Sequence, residues 1–360
     1  MMLTIYTLFN DPNIVSAVIQ RVLQTRKDTI YWQQYLDFRR TTTRVFKDYI
    51  GQVTGVMAGS INSRYGEKPI RERRNIGSGY GEIAYLGDRY QISIDRLSEL
   101  QDLVDKFNAA KTADQVAAMQ DIVNFIYDDY RQVLLAAHKR MDIVVGSLLM
   151  TGKAQVKNKD DNAGGIDLLD IELPFKFITP EAGAKTNFIT YLQRTINELK
   201  AVYGNFPKMI MSRSTFVKNI IGSSEFGDKF KMQLTGNEMY MSTGLITSQL
   251  ASTVFTGIGL PAIEIKEDYV LDQSGKNVQI YADDHITLLP QDKVGYMRFH
   301  TPYEAVDGVP GRNYTQADGD MLISGYKDGN GRYLEYTAEW IPQIANPNQI
   351  VNIDLTTINA

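Results

Sequence analysis

The chain has 360 residues, 43% of them hydrophobic, and a formal net charge of −4 from 38 basic and 42 acidic side chains. That supplies one elaborate domain or two ordinary ones with a sizeable core, and it excludes a uniformly cationic nucleic-acid binder. With no cysteine and only three histidines (His138, His285 and His300), disulfides, thiolate metal sites and cysteine nucleophiles are excluded and imidazole chemistry has little material.

The opening residues lack the cationic stretch and cleavage site of a signal peptide, and no apolar run approaches the roughly 18 residues of a membrane span. A soluble intracellular product is therefore expected. Residues 1–40 read as a short strand, a helix from about Pro12 to Leu23 with Asn10 or Asp11 as its cap, and an aromatic stretch. That stretch holds Tyr31, Trp32, Tyr35 and Phe38, too many aromatic rings for a free tail, so it is expected to pack on something, a neighbouring subunit among the candidates.

Thr42–Ile50 and Ile83–Ile94 alternate like strands. The stretch between them is rich in Gly and Arg and reads as the polar, basic tip of a long two-stranded arm. An isolated hairpin is marginal in water, so such an arm is expected to rest on a partner. The residues from Thr112 to Val145 contain no Gly or Pro and read as a rod roughly 50 Å long. Val116, Met119, Ile122, Ile126, Val133 and Met141 lie on one apolar stripe, ending at Gly146, and acidic side chains crowd the start of the opposite face. A rod of this kind needs an equally long surface to lie against. Unsustained heptads weaken the case for a coiled coil, and the acidic face argues against a membrane surface.

After a polar turn region, Ile166–Phe177 reads as a strand, Asn187–Tyr203 as an amphipathic helix and Lys208–Met211 as a buried strand. Ser212 or Ser214 caps a short helix through Ile221, and Ser242–Val254 reads as another helix. The chain then turns to β, with Ile263–Leu271, Val278–Tyr281, Ile286–Leu289 and Val294–Phe299. An irregular stretch follows, then a hairpin of Met321–Tyr326 and Arg332–Trp340 about Asp328–Gly331, and a last strand Ile350–Leu355.

Catalytic motifs are scarce. Gly77–Gly81 lacks the Lys-Ser/Thr and the βαβ setting of a phosphate loop and reads as a loop hinge. The spacing around Asp160-Asp161-Asn162 fails for a calcium loop, and Asp283-Asp284-His285 has no convincing third ligand. Ser223-Ser224 lacks the spacing of a nucleophile elbow. No catalytic, metal or cofactor residue is expected, and function is expected to lie in shape and contacts. The sharpest charged feature is the run Arg64, Lys68, Arg71, Arg73 and Arg74, interrupted by Glu67 and Glu72. It admits contact with nucleic-acid phosphates, ion pairing with an acidic patch on a neighbouring subunit, or a merely soluble tip. The second is favoured, since no groove-reading motif frames the run and the guanidinium fork suits carboxylates.

This order of parts resembles the major capsid proteins of tailed bacteriophages, whose fold is shared with encapsulin shells. The C-terminal third is most similar to the lambda-type major capsid protein family, in which an acidic residue and Trp end a strand before a closing apolar strand. Here these are Glu339 and Trp340, followed by Pro342, Pro347 and Ile350–Leu355. Lys208–Phe216 and Gly295–Arg298 also fit that pattern. The resemblance implies an α+β, HK97-like phage capsid fold with an N-terminal arm over 1–40 and an E-loop over 41–97. A peripheral domain with the spine helix would cover 98–154, an axial domain 155–330, and return strands of the peripheral domain 331–360. It further implies self-assembly through pentamers and hexamers into an icosahedral shell around double-stranded DNA, contacted non-specifically, in a virion assembled in the host cytoplasm. Scaffolding and portal partners, and a decoration protein in some relatives, belong to the same implication. The scaffold is expected as a separate protein, because no large scaffold-like segment precedes the arm. Some relatives cross-link subunits through Lys and Asn, and Lys68 and Asn75 lie in a suitable region. The alternatives are an encapsulin-like nanocompartment shell and, from a different class, an α/β hydrolytic enzyme with paired carboxylates in a cleft.

Overall fold

The computed structural model describes residues 2–25, 29–50, 77–157, 167–223, 225–226, 247–271, 275–329 and 331–359. The chain opens with α1 (Ile5–Asn10) and α2 (Pro12–Thr25), then β1 (Leu36–Arg40). A two-stranded ribbon of β2 (Val45–Ile50) and β3 (Gly77–Glu82) leads into β4 (Ala84–Ile92), and α3 (Ile94–Ala109) and α4 (Gln115–Thr151) follow. Next come β5 (Lys153–Lys157), β6 (Asp167–Glu172), β7 (Lys176–Ile178), α5 (Phe188–Tyr203) and β8 (Lys208–Ser212). The short α6 (Arg213–Thr215) continues as a π-helical turn to Ile221, and α7 (Ser248–Gly257) precedes the β-rich remainder. That remainder comprises β9 (Ala262–Lys266), β10 (Tyr269–Leu271), β11 (Asn277–Gln279), β12 (His285–Leu289) and β13 (Gly295–His300). It ends with β14 (Tyr314–Gln316), β15 (Leu322–Asp328), β16 (Gly331–Ile344), β17 (Val351–Asp354) and α8 (Thr356–Asn359).

Two sheets organise the molecule, each with its own hydrophobic cluster. In the first, the order is β1-β13-β16-β15-β14, with β4 also paired to β16. The 14-residue β16 is its long axis, pairing antiparallel with β15 over Gly331–Thr337, with β4 over Arg332–Trp340 and with β13 over Glu339–Ile344. The 37-residue α4, about 55 Å long at 1.5 Å per residue, lies against this sheet, flanked by α2 and α3. The second sheet runs β7-β17-β12-β8-β9. The apolar faces of α5 (Ile189, Leu192, Ile196) and α7 (Ala251, Val254, Phe255) enter its core.

Several elements differ from the sequence reading, each for a local reason. Residues 5–10 form a helix rather than a strand because the Thr4 and Thr7 side chains make a reciprocal capping box. The glycine-rich 77–82 is a strand, not a hinge: its backbone pairs residue by residue with Val45–Ile50, from Val45↔Glu82 to Ile50↔Gly77. α3 is not anticipated, although Ser93 caps it, Asp95 sits in its first turn, and Leu100 and Val104 anchor it. α4 begins at Gln115 and runs through Gly146 to Thr151. A side chain at position 146 would overlap the carbonyl of Ile280, so that glycine marks a close approach and not a stop. Gly152, at φ 68°, ends the helix by donating its N–H to Leu148 O. The helix expected at Ser242–Val254 is observed at Ser248–Gly257, with Thr247 as its cap.

The cores also divide the chain differently from the expected domains. Tyr31, Trp32 and Tyr35 are buried within the chain's own first core instead of awaiting a neighbour. Residues of β13 and β15, expected in the axial part, belong to the first core with Met297 and Ile323. β17 departs in the other direction, lying between β7 and β12 in the second sheet with Val351 and Ile353 in its core.

Candidate functional site

The residues that tie the β2–β3 ribbon to the body converge on Glu339. Its side chain is only 3% exposed although it sits mid-strand in β16. Arg44, at the root of β2, donates from Nε to Glu339 Oε2 at 3.0 Å and from a second guanidinium nitrogen to Oε1, a two-pronged ion pair. His300 Nδ1 lies 2.8 Å from the same Oε2. The carboxylate beside it raises the Arg44 pKa above its ordinary value. Tyr85, paired with Glu339 across the sheet, donates its hydroxyl to Glu304 at 2.9 Å. The backbone closes the join, with Ile83 N–H donating to Arg44 O at 3.0 Å.

Trp340, the next residue, faces the other side of the sheet. Side chains alternate along a strand, so a polar joint and an apolar anchor come from successive positions. Trp340 is fully buried and packs on His138 of α4 at 4.8 Å between ring centroids and on Phe38 of β1 at 5.1 Å. Its Nε1 donates to Gly319 O at 2.7 Å. Trp32 stacks on the other face of this cluster, 5.7 Å from His138 with 10° between planes. One turn along α4, Asp142 accepts from the Trp32 N–H at 2.9 Å, and Lys139 donates to Thr29 O at 2.6 Å. Burial, partly offset by the Trp32 and Lys139 bonds, pushes the Asp142 carboxyl up to about 6.

Of the residues singled out on α4, Ile122, Ile126, Val133 and Met141 are buried against the first core. Met119 is half-buried, and Val116, read as part of the same stripe, is 78% exposed, because the sheet does not extend over the first turn. Arg64, Lys68, Arg71, Arg73, Arg74 and Asn75 lie outside the described residues. The sequence reading misses Arg44, His138, Asp142 and His300 as members of these joints. The one available signal is a charged Asp142 falling on an otherwise apolar stripe. The surface also carries concavities, one beside these joints and one remote from them. One, about 730 Å³, lies between β4 and α4 and is lined by Tyr85, Arg140, Leu271 and Tyr336. The other, about 810 Å³, lies beside α5 and is lined by Lys176, Tyr191, Arg194, Glu198 and Val202. No group of three or more metal-binding side chains occurs among the described residues.

The arrangement as a whole has solved counterparts. The protein assigned as the capsid protein of an E. coli CFT073 prophage superposes with a TM-score of 0.60 over 96% of this chain and 99% of its own, at 13% identity. The chain has the HK97-like capsid fold. A phage-related protein of Bordetella bronchiseptica RB50 also matches, with a TM-score of 0.52 over 96% and 98% of the two chains at 8% identity. No family model matches the chain, nor does any curated protein by sequence, so the lambda-type resemblance at Glu339-Trp340 stands on those residues alone. Within the capsid fold, α4 is the spine helix and the sheet axis β16 lies against it.

Proposed function

We propose that this chain is the major capsid protein of a tailed phage, assembling through pentamers and hexamers into an icosahedral shell around double-stranded DNA. One observation carries the reading: the likeness to a protein assigned as a prophage capsid protein spans both chains almost end to end. In this reading the β2–β3 ribbon is the base of the E-loop, with Arg64, Lys68, Arg71, Arg73 and Arg74 at its tip contacting a neighbouring subunit. The first core is the peripheral domain and the second the axial domain around the symmetry axes. Glu339 and Trp340 set the ribbon's root on the body. Assembly is the mechanism: individually weak contacts, repeated about many axes, make a closed shell cooperative. A separate scaffold, a portal and a decoration protein are the proposed partners, and the virion is the proposed location.

Electron microscopy of the purified chain, alone and co-expressed with its genomic neighbours, tests this. Hollow shells, or rings of five or six subunits, are expected, and shells from infected cells should hold nuclease-protected DNA. Compact monomers under every condition would overturn the reading. Shells filled with a protein cargo and no DNA would replace it with a nanocompartment.

A further inference from the structure

Arg332, on β16 at the end of the sheet remote from Trp340, is buried to 7% exposure, yet no carboxylate pairs with it among the described residues. Its Nη1 is buried and has no hydrogen-bond partner among the described residues. Its guanidinium lies over the Phe9 face, 5.0 Å from the ring centre. Burial draws its pKa below the ordinary arginine value, but an arginine does not give up its proton in a protein, so the charge stays. A buried ion without a partner is among the costliest arrangements a fold can hold. Arg332 is among the residues lining a cavity of about 350 Å³, bounded by Tyr6 and Asn10 of α1 and by the β15–β16 hairpin. The cavity's other charged side chains are Arg312, Lys327 and Asp328, so three cations face one carboxylate. Arg312 is held in place by the Tyr326 ring, whose centre is 3.4 Å away, and by Glu335 at 3.5 Å.

We infer that this cavity is an oxyanion site, in which the Arg332 fork binds a carboxylate or phosphate group with Arg312 and Lys327 at its mouth. The two oxygens of such a group match the parallel N–H donors of a guanidinium, and the buried charge gains the counter-ion that it lacks. The anion comes either from solution or as a carboxylate side chain of a second copy of this chain seated over the cavity mouth.

The test uses the full chain and Arg332→Met, which keeps an unbranched apolar stem in place of arginine's and removes its charge and donors. Unassembled protein is melted in inorganic phosphate and in sodium chloride of equal ionic strength. The parent should be stabilised saturably by phosphate and not by chloride. Arg332→Met should shift the phosphate midpoint upward about tenfold or more, as loss of charge-assisted hydrogen bonds predicts. Equal responses of the parent to the two salts would overturn the site, and this needs no variant to fold. A response unchanged in Arg332→Met would overturn the role of Arg332. Assembly then separates the sources. If a second copy supplies the carboxylate, phosphate inhibits shell formation and Arg332→Met raises the concentration needed for assembly about tenfold. If the anion is free, assembly is unchanged while the phosphate response of the unassembled chain persists. The assembly arm rests on the shell reading and is scored only where the parent itself assembles; the ion arm stands without it.

Discussion

The core built on α4 and the core built on α5 are made from different kinds of chain. The second draws α5, α7 and two of its strands from one run, residues 188–266, and adds β7, β12, β17 and the C-terminal α8 from outside it. The first collects α2, β1, β4, α3, α4 and four late strands, so residues as distant as Trp32 and Trp340 meet, 6.3 Å between ring centroids. Their polar content differs in the same way. Inside the second sheet most buried polar groups are neutral, with Thr287 bonded to Asn352 at 2.6 Å and Ser212 to Thr215 at 3.0 Å, and the buried Lys266 of β9 is paired with Glu264 at 2.6 Å. Around the first sheet, beside the neutral Ser324 and Thr337, they include three ionisable groups drawn from distant segments: Asp142, Glu339 and Arg332. Neutral pairs cost little to bury and fix register, whereas buried charges are costly and tolerated where distant segments must be joined one way. The first core is therefore the more sensitive to single charges, to pH and to ions.

The sharpest break in that comparison is Ile126→Asp, which places an unpaired charge on the buried face of α4. We expect a loss of about 4 kcal/mol or more in denaturant unfolding. Met119→Asp, on the half-buried first turns, should cost distinctly less, and equal costs would show that the sheet covers the helix start after all. Trp340→Ala should remove about 3–5 kcal/mol by opening a cavity among Phe38, His138 and Trp32. Ile196→Ala in the second core should cost about 2–5 kcal/mol and leave the near-ultraviolet signal of the tryptophans intact.

Asp142 supplies a pH test. Its carboxyl titrates near 6 in the fold and near 4 when unfolded, so the folded chain binds more protons between those values. Stability from this group is complete below about pH 4 and is lost as pH rises through 6, by roughly 3 kcal/mol at most. Two carboxyls work in the opposite sense. Burial alone would raise Glu264, but Lys266 overrides it and holds the pKa below the ordinary value; the Thr356 bonds do the same for Asp354. Only the difference between parent and Asp142→Asn isolates the effect. Relative to the variant, the parent should lose stability from pH 4 to pH 7, and a flat difference would place Asp142 outside the buried joint.

The smallest effect is expected at the ribbon root. Glu339→Gln leaves Arg44 and His300 without their carboxylate, but the Arg44 side chain is 50% exposed and rehydrates readily. We expect about 1 kcal/mol. Limited proteolysis should show faster cleavage within residues 41–83, and unchanged cleavage would mean that backbone pairing alone holds the ribbon.

The elements legible in the sequence are those whose signal is local. The 3.6-residue period marks α2, α4 and α5, Ser212 caps α6 as its position suggests, and the Asp328–Gly331 turn sets the β15–β16 hairpin. Glu339 and Trp340 stand out as neighbours of opposite character on one strand. What the sequence cannot carry is partnership across distance. Gly77–Glu82 is a strand because Val45–Ile50 pairs with it, β17 enters the second sheet because β12 and β7 offer edges there, and the aromatic stretch finds α4 instead of a neighbouring subunit. Arg332 reads in sequence as one more cation on a hairpin. Only the packing of α1 and Phe9 over it turns that charge into a buried one, with no carboxylate paired to it among the described residues, because desolvation belongs to the surroundings of a side chain and not to its place in the chain.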